Sequence, residues 1–380
     1  LICNIDLVTD NSLTTAERAQ YKAEAKIFRA MVMFDMVRLW GDFPVITTVA
    51  DDITSENIDE VYPQYFPKQN TELEAYQQIE KDLLDAVLYA PDNTPGNKTL
   101  FSKSVARTLL AKIYAEKPLR DYTKVIQYCD EVKEDGFDLV DDFSDLFGMN
   151  AAGTDAKMRN TKESILEAQF TSGAGNWCTW MFGRDLVNWN NNFTWAKWVT
   201  PSRDLISAFK QEGDEVRFKE SIVYYDCNWS NYYPSDNYPF MYKCRSANSS
   251  IIKYRYADVL LLKAEALIMQ DTPDLEGAAD IIDEVRDRAK LGALPTSVRS
   301  NKNVLLNALL KERRLELAFE GQRWFDLVRL DKVEEVMNAV YAKDSGRKAQ
   351  IYTFDKNSYR LPIPQSVIDA NDKIHQNPGY

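Results

Sequence analysis

The chain has 380 residues, and its 46 Lys and Arg residues against 58 Asp and Glu residues give a formal net charge of −12. This acidic balance argues against binding to nucleic acid phosphates, and no apolar stretch is long enough to span a membrane. A single histidine, His375, and five widely spaced cysteines disfavour Ser-His-Asp catalysis and the common zinc sites, so we expect no metal and no cofactor.

Apolar residues at helical spacing predict four helices in the first third of the chain. The first begins after Thr14, which can form a capping box with Glu17, and ends at Gly41. Its predicted apolar stripe consists of Ile27, Phe28, Met31, Val32, Phe34, Met36 and Leu39. The other three are predicted over about 70–90, 103–116 and 121–134. Their short or medium connections favour antiparallel pairs.

The middle of the chain, about 137–247, has short apolar runs broken by Gly, Asn, Asp and Pro, which predict loops with a few strands or short helices. Helical periodicity returns over about 254–269, 275–290 and 302–320. We therefore expect a mainly α fold of tetratricopeptide-like helix pairs around an irregular, loop-rich region. The expected regions are a helix-pair scaffold at 1–136, the irregular aromatic-rich region at 137–247, and C-terminal helix pairs with a tail at 248–380, the first and third packing as one domain.

Three segments together carry a recognisable pattern. The first, at 23–44, contains AEAKIFRA followed by FDMVRLWGDFP; the second, at 312–329, reads ERRLELAFEGQRWFDLVR; the third is LPIP at 361–364 followed by QNPGY at 376–380. In this order and over nearly the whole chain, the three segments resemble the SusD/RagB family, the outer-membrane nutrient-binding lipoproteins of Gram-negative bacteria.

The resemblance implies tetratricopeptide-like helix pairs with a loop-rich region that holds the ligand. It also implies a glycan-binding protein without catalysis, which delivers a captured glycan or oligosaccharide to a SusC-like TonB-dependent transporter. The expected location is the outer membrane at the cell surface, through a lipid-anchored cysteine. Cys3 follows Ile2, whereas a lipobox needs a small residue there, so we expect the natural N-terminus and its anchor to be missing from this chain.

A tryptophan-rich stretch lies in the irregular middle of the chain. Five of the eight tryptophans fall within 22 residues: Trp177, Trp180, Trp189, Trp195 and Trp198. Polar side chains lie between them, among them Arg184, Asn188 and Asn190. A sugar ring offers an apolar C–H face for stacking and hydroxyls for hydrogen bonds, which suits this mixture. We predict these eight residues, with the downstream cluster of Trp229, Tyr232 and Tyr233, as the ligand-binding site.

Four other interpretations are weighed against this one. Tryptophan is highly buried on average, so the rings could form a small core of the irregular region. The same scaffold could bind peptides, or its helix pairs could hold a protein partner while the aromatic residues are packing. Nearby acidic residues could supply the two carboxylates of a glycosidase. Such residues occur near any segment by chance in a chain with 58 of them, so we expect the protein to have no catalytic activity. The acids in question are Asp185, Asp204, Asp214, Glu215, Asp226 and Asp236.

The charged residues of the second motif are expected to belong to the scaffold. They form three pairs spaced three residues apart, which could meet on one helical face: Arg313 with Glu316, Glu320 with Arg323, and Asp326 with Arg329. Exposed pairs of this kind contribute only about 0.3–0.5 kcal/mol each, so their value would rise only if they were partly buried.

Overall fold

A computed structural model describes residues 1–9, 12–171, 175–176, 199–226, 232–343 and 353–380. The N-terminal helices are α1 (Thr15–Trp40), α2 (Glu72–Tyr89), α3 (Lys103–Ala115) and α4 (Tyr122–Glu134). The later helices are α5 (Arg203–Glu212), α6 (Glu215–Ser221), α7 (Tyr256–Met269), α8 (Leu275–Arg288), α9 (Lys302–Glu316), α10 (Arg323–Arg329) and α11 (Val333–Lys343). Shorter helical turns cover Ile5–Leu7, Ile58–Val61, Tyr62–Tyr65, Lys117–Leu119, Ser144–Phe147, Thr296–Arg299, Lys356–Tyr359 and Gln365–Ala370. The predicted mainly α fold class is confirmed.

Short strands within the described residues between 164 and 255 form two antiparallel pairs. The strands are β1 (Ser164–Ala168), β2 (Ile222–Tyr225), β3 (Tyr238–Met241) and β4 (Ile251–Arg255). β1 pairs with β4 and β2 pairs with β3. The β2–β3 ladder is regular, with Ile222 opposite Met241 and Tyr225 opposite Tyr238. β1, β2 and β3 lie in the region where the sequence predicted a few strands, whereas β4 lies after it and covers the first residues of the helix predicted from about 254.

Helix α1 has the predicted ends. The Thr14 hydroxyl accepts a hydrogen bond from the Glu17 backbone N–H at 3.2 Å, and the Glu17 carboxylate accepts one from the Thr14 N–H at 2.7 Å. This reciprocal capping box satisfies two N–H groups that a helix N-terminus leaves unpaired. The helix stops at Gly41, whose φ of 72° is a conformation that glycine adopts without the steric cost of a Cβ atom.

The buried face of α1 is narrower than predicted. Ile27 and Phe34 are fully buried, but Phe28 and Val32 are 52% and 40% exposed. The prediction was wrong for these two residues, because Ala23 and Ala30 complete the buried face instead. Alanine is small and contributes little to a stripe that is identified by large apolar side chains.

Helices α1 and α2 run antiparallel, as predicted. The Arg29 guanidinium donates to both carboxylate oxygens of Asp82, at 2.7 and 2.8 Å, and Lys26 pairs with Asp85 further along the same interface. Such a bidentate pair adds geometric specificity to the apolar contact between two helices. It therefore fixes the register of α1 against α2.

One hydrophobic core joins the N-terminal helices to the C-terminal ones. Fully buried members come from α1, α2, α3, α7 and α8, namely Ile27, Ile79, Leu109, Leu261 and Ile282. The division of the chain into three regions stays a prediction. Among the described helices, none combines the length and the apolar character that crossing a membrane requires.

Candidate ligand-binding site

Most of the predicted site residues lie outside the described residues: Trp177, Trp180, Arg184, Asn188, Trp189, Asn190, Trp195, Trp198 and Trp229. Tyr232 and Tyr233 are described, and both are half-buried. They follow the undescribed segment 227–231, while Thr200 and Arg203 lie just after the undescribed tryptophan-rich segment 177–198. These flanking residues meet in space, which gives the candidate site its described part.

Three tyrosine rings and an arginine form a compact group, here called the tyrosine cluster: Tyr232, Tyr233, Tyr238 and Arg203. The ring centroids of Tyr232 and Tyr233 are 4.9 Å apart, and those of Tyr233 and Tyr238 are 5.5 Å apart, with nearly perpendicular planes. The Arg203 guanidinium carbon lies 4.0 Å from the centroid of Tyr232 and 4.8 Å from that of Tyr233. Edge-to-face rings and a cation over their faces are both attractive arrangements.

Hydrogen bonds fix the orientation of two of these rings. The Tyr233 hydroxyl donates to the carbonyl oxygen of Pro201 at 2.7 Å. The hydroxyls of Tyr238 and Thr200 are hydrogen-bonded at 3.1 Å, and Tyr238 is buried. These bonds join residues 200–201, just after the tryptophan-rich stretch, to residues 233–238, which lead into β3.

The tyrosine cluster is attached to the helical scaffold through α5. Ser202 caps this helix by accepting a hydrogen bond from the Leu205 N–H at 3.1 Å, which places Arg203 in its first turn. The apolar side of α5 packs with Leu315 of α9, and Tyr233 lies against the same small core. The scaffold thus supports the tyrosine cluster, and in general a preformed surface binds a ligand at a lower entropic cost than one that must first become ordered.

A cavity of about 730 Å³ adjoins the tyrosine cluster at Arg203 and is bounded by α5, α9 and α11. Its polar lining includes Ser207, Gln211 and Lys311. Small-molecule sites occupy about 300–1,000 Å³, so the volume is large enough for a ligand. Of the tyrosine cluster only Arg203 lines this cavity, which therefore offers a ligand hydroxyl, amide and cationic groups, while the half-buried rings of Tyr232 and Tyr233 lie outside its lining.

Two of the acids considered for glycosidase chemistry are engaged in ion pairs. Asp204 lies 2.7 Å from the Arg314 guanidinium, and the fully buried Asp214 lies 2.5 Å from that of Arg217. Burial raises the pKa of Asp214, although Arg217 opposes the shift. Both carboxylates thus have structural partners within the described part of the chain.

The second motif forms a buried charge network, and two of its three predicted pairs are wrong. Arg313 binds Asp258 and Asp326, at 2.8 and 2.9 Å, instead of Glu316. Arg323 donates to the carbonyl oxygen of Leu310 instead of to Glu320. Only the third pair forms, with 2.9 Å between Asp326 and Arg329. The helix ends at Glu316, so Glu320 and Arg323 do not share a continuous helical face.

Glu316 lies at the centre of this network. Its carboxylate accepts from Arg217 at 3.0 Å, from Arg255 at 2.5 Å and from Arg288. Glu163 binds Arg255 and Arg288 in turn, at 2.7 and 2.6 Å. Burial by itself would raise the pKa of Glu316, but the cations Arg288, Arg255 and Arg217 outweigh it and hold the pKa well below its usual value. The carboxylate therefore stays ionised while fully buried.

This network holds the candidate site in place. Arg217 belongs to α6, which leads directly into β2, and β2 pairs with the strand that carries Tyr238. The ion pairs of Arg217 with Glu312 and Glu316 attach α6 to α9. The motif residues therefore act as scaffold, as the sequence suggested, but through contacts between distant segments.

Two family models match this chain. One, described as "SusD family", matches residues 236–380, and the other, described as "Starch-binding associating with outer membrane", matches residues 3–115. The chain belongs to the SusD/RagB family. The matched ranges contain the three segments on which the sequence resemblance depended.

Relatives in this family align with most of the chain. SusD-like protein P2 of Formosa agariphila is 28% identical, and the alignment covers 100% of this chain and 77% of the relative. The starch-binding protein SusD of Bacteroides thetaiotaomicron is 24% identical, with 99% of this chain and 76% of the relative covered.

Solved SusD-like structures share the fold. A laminarin binding SusD-like protein superposes with a TM-score of 0.74 at 24% identity, covering 100% of this chain and 82% of that chain. A SusD superfamily protein from Parabacteroides distasonis gives a TM-score of 0.76 at 24% identity, with 100% and 83% covered. These likenesses confirm the SusD-like architecture of the helices.

Proposed function

We propose that the protein binds a glycan or oligosaccharide and does not hydrolyse it. The observation that carries the proposal is the tyrosine cluster, in which Arg203, just after the tryptophan-rich stretch, meets the half-buried rings of Tyr232 and Tyr233. The family supports it, since one relative is named starch-binding and one structural neighbour laminarin binding. Stacked rings beside hydrogen-bonding groups are suited to sugars.

In this proposal the tryptophans of 177–198 and Trp229 extend the platform that Tyr232 and Tyr233 begin. Stacking and a few hydrogen bonds must replace the strong hydration of sugar hydroxyls, so the net free energy is small. We expect dissociation constants in the micromolar to millimolar range, equivalent to about −8 to −4 kcal/mol.

We further propose a role in uptake at the outer membrane. The captured glycan would pass to a SusC-like TonB-dependent transporter, with the protein held at the cell surface by a lipid anchor. Family membership supports this step. Co-purification of the full-length protein with a TonB-dependent barrel from outer membranes of the native host would support it, and recovery of the protein without such a barrel from gently solubilised membranes would contradict it.

The variant Tyr232→Ala tests the site. Removing a central aromatic anchor commonly costs 2 kcal/mol or more, so binding of the preferred glycan should weaken by about thirtyfold or more. Tyr89→Ala is the matched control, because Tyr89 is a 52% exposed tyrosine on α2, outside the tyrosine cluster. Calorimetric titration measures both affinities, and the melting temperature of each variant shows that it is folded.

Three results would contradict the proposal. The first is equal loss of affinity in both variants, and the second is binding to a peptide library without binding to any glycan. The third is release of reducing ends in proportion to the protein concentration, which would show that the protein hydrolyses its ligand.

A further inference from the structure

A second cavity lies between the first two sequence motifs. Its volume is about 430 Å³, within the range of small-molecule sites. Asp35 and Arg38 of the first motif line one part, and Glu320 and Gln322 of the second motif line another. The side chains of Lys253 and Asp35 are 35% and 34% exposed, so the cavity is accessible at this end.

Each carboxylate oxygen in the cavity wall already accepts a hydrogen bond from a cation. Asp35 accepts from Arg38 at 2.5 Å through one oxygen and from Lys253 at 2.6 Å through the other. Glu320 accepts from Lys243 at 2.6 Å and from Arg255 at 2.7 and 2.8 Å, again through both oxygens. Neither carboxylate therefore offers an oxygen that lacks a cationic donor.

Hydrogen-bond donors, by contrast, remain available. The Lys253 ammonium has three protons and donates one hydrogen bond to the described residues, to Asp35. The Lys243 ammonium donates to the carbonyl oxygen of Glu316 at 2.9 Å and to Glu320, so one of its three protons has no acceptor within the described part of the chain. The Ser250 hydroxyl is buried and has no hydrogen-bond partner among the described residues. A buried hydroxyl without a partner is costly, so a ligand oxygen there would be favourable.

The cavity also has apolar walls and one rigid cation. The Arg38 guanidinium carbon lies 3.9 Å from the centroid of Phe34 and 4.0 Å from that of Phe325, so the group is held between two rings. Phe325, Phe319 and Ile252 line the cavity as well. The site therefore combines an apolar surface with three cationic side chains and only two carboxylates.

We propose that this cavity binds a sugar residue that carries a carboxylate or sulfate group. The anion would accept the remaining protons of Lys253, Lys243 and Ser250, and the C–H face of the ring would lie against the apolar wall. The choice of a sugar rests on the proposed function, whereas the preference for an anion rests on the cavity alone. The site is distinct from the tyrosine cluster, so the two can be tested separately.

Calorimetric titration with glucuronate, glucose 6-sulfate and glucose tests this proposal. At least one of the two acidic sugars should bind about tenfold tighter than glucose. Comparison of the affinities for glucuronate and glucose 6-sulfate shows whether the cavity prefers a carboxylate or a sulfate. Lys253→Gln and Ser250→Ala should each weaken the binding of that acidic sugar by several fold. Lys263→Gln is the matched control, because Lys263 is also a half-buried lysine paired with an aspartate, Asp130, and lies outside the cavity.

Failure of this proposal and failure of the proposed function give different results. Equal affinity for glucose and both acidic sugars, no binding of either acid at about 10 mM, or unchanged binding in Lys253→Gln and Ser250→Ala would overturn the cavity site. If the protein binds glucuronate through Lys253 but no glycan through Tyr232, the cavity site stands and the proposed function fails. If Tyr232→Ala abolishes glycan binding and leaves glucuronate binding intact, both stand.

Discussion

Replacing the buried carboxylate of Glu316 should strongly destabilise the protein. Glu316→Gln keeps the shape of the side chain, so no cavity is created, but it removes the charge that three buried guanidinium groups share. Removing one partner from a buried ion pair costs about 3–5 kcal/mol, because the remaining charge stays desolvated. Since Arg217, Arg255 and Arg288 all lose the same partner, we expect the upper end, about 5 kcal/mol.

Urea unfolding followed by circular dichroism measures this effect. Domains are typically stable by about 5–15 kcal/mol, so the midpoint of Glu316→Gln should fall far below that of the wild type. Glu276→Gln is the matched control, because Glu276 pairs with Arg299 but its side chain is 72% exposed, and an exposed pair contributes about 0–1 kcal/mol. A change below about 1 kcal/mol in Glu316→Gln, with an unchanged m-value, would refute the structural role of the network.

Two further predictions concern stability. Ile79→Ala should lower the free energy of unfolding by about 2–5 kcal/mol, because Ile79 is fully buried between helices. Leu88→Ala on the same helix is the control and should cost less than about 1 kcal/mol, because Leu88 is 66% exposed. Equal shifts in the urea midpoint of the two variants would contradict the burial of the α2 face. Burial lowers the pKa of Lys243 to about 8, although Glu320 opposes the shift, so between pH 8 and 10 the unfolded chain binds a proton that the folded protein has lost. The free energy of unfolding of the wild type should therefore rise relative to that of Lys243→Met across this window, and a constant difference would contradict the assignment.

Much of the helical fold could be predicted because helix signals are local. The capping box at Thr14 and the positive φ of Gly41 depend on neighbouring residues, and both ends of α1 are where the sequence placed them. Which residues form the buried face of α1 was predicted less accurately than its ends. Whether Phe28 is buried depends on which helices surround α1, and sequence periodicity alone does not contain that information.

The charge network and the second cavity were beyond sequence reasoning. Arg255 is 92 residues from Glu163, and Arg217 is 99 residues from Glu316, whereas the sequence suggests only partners three or four positions away. The aromatic density of the tryptophan-rich stretch, which does not match a helical stripe, led to the predicted site, and the part of Tyr232 and Tyr233 in ligand binding stays a prediction. The tryptophan-rich stretch lies outside the described residues, and its predicted contacts with the ligand stay a prediction.

The central claim is glycan binding without hydrolysis, and affinity electrophoresis of the purified protein tests it most directly. Native gels cast with soluble starch, laminarin or other glycans should retard the protein in at least one case, while the same mixtures in solution release no reducing ends over hours. Unchanged mobility in every glycan gel, or reducing ends that increase with protein concentration, would contradict the account.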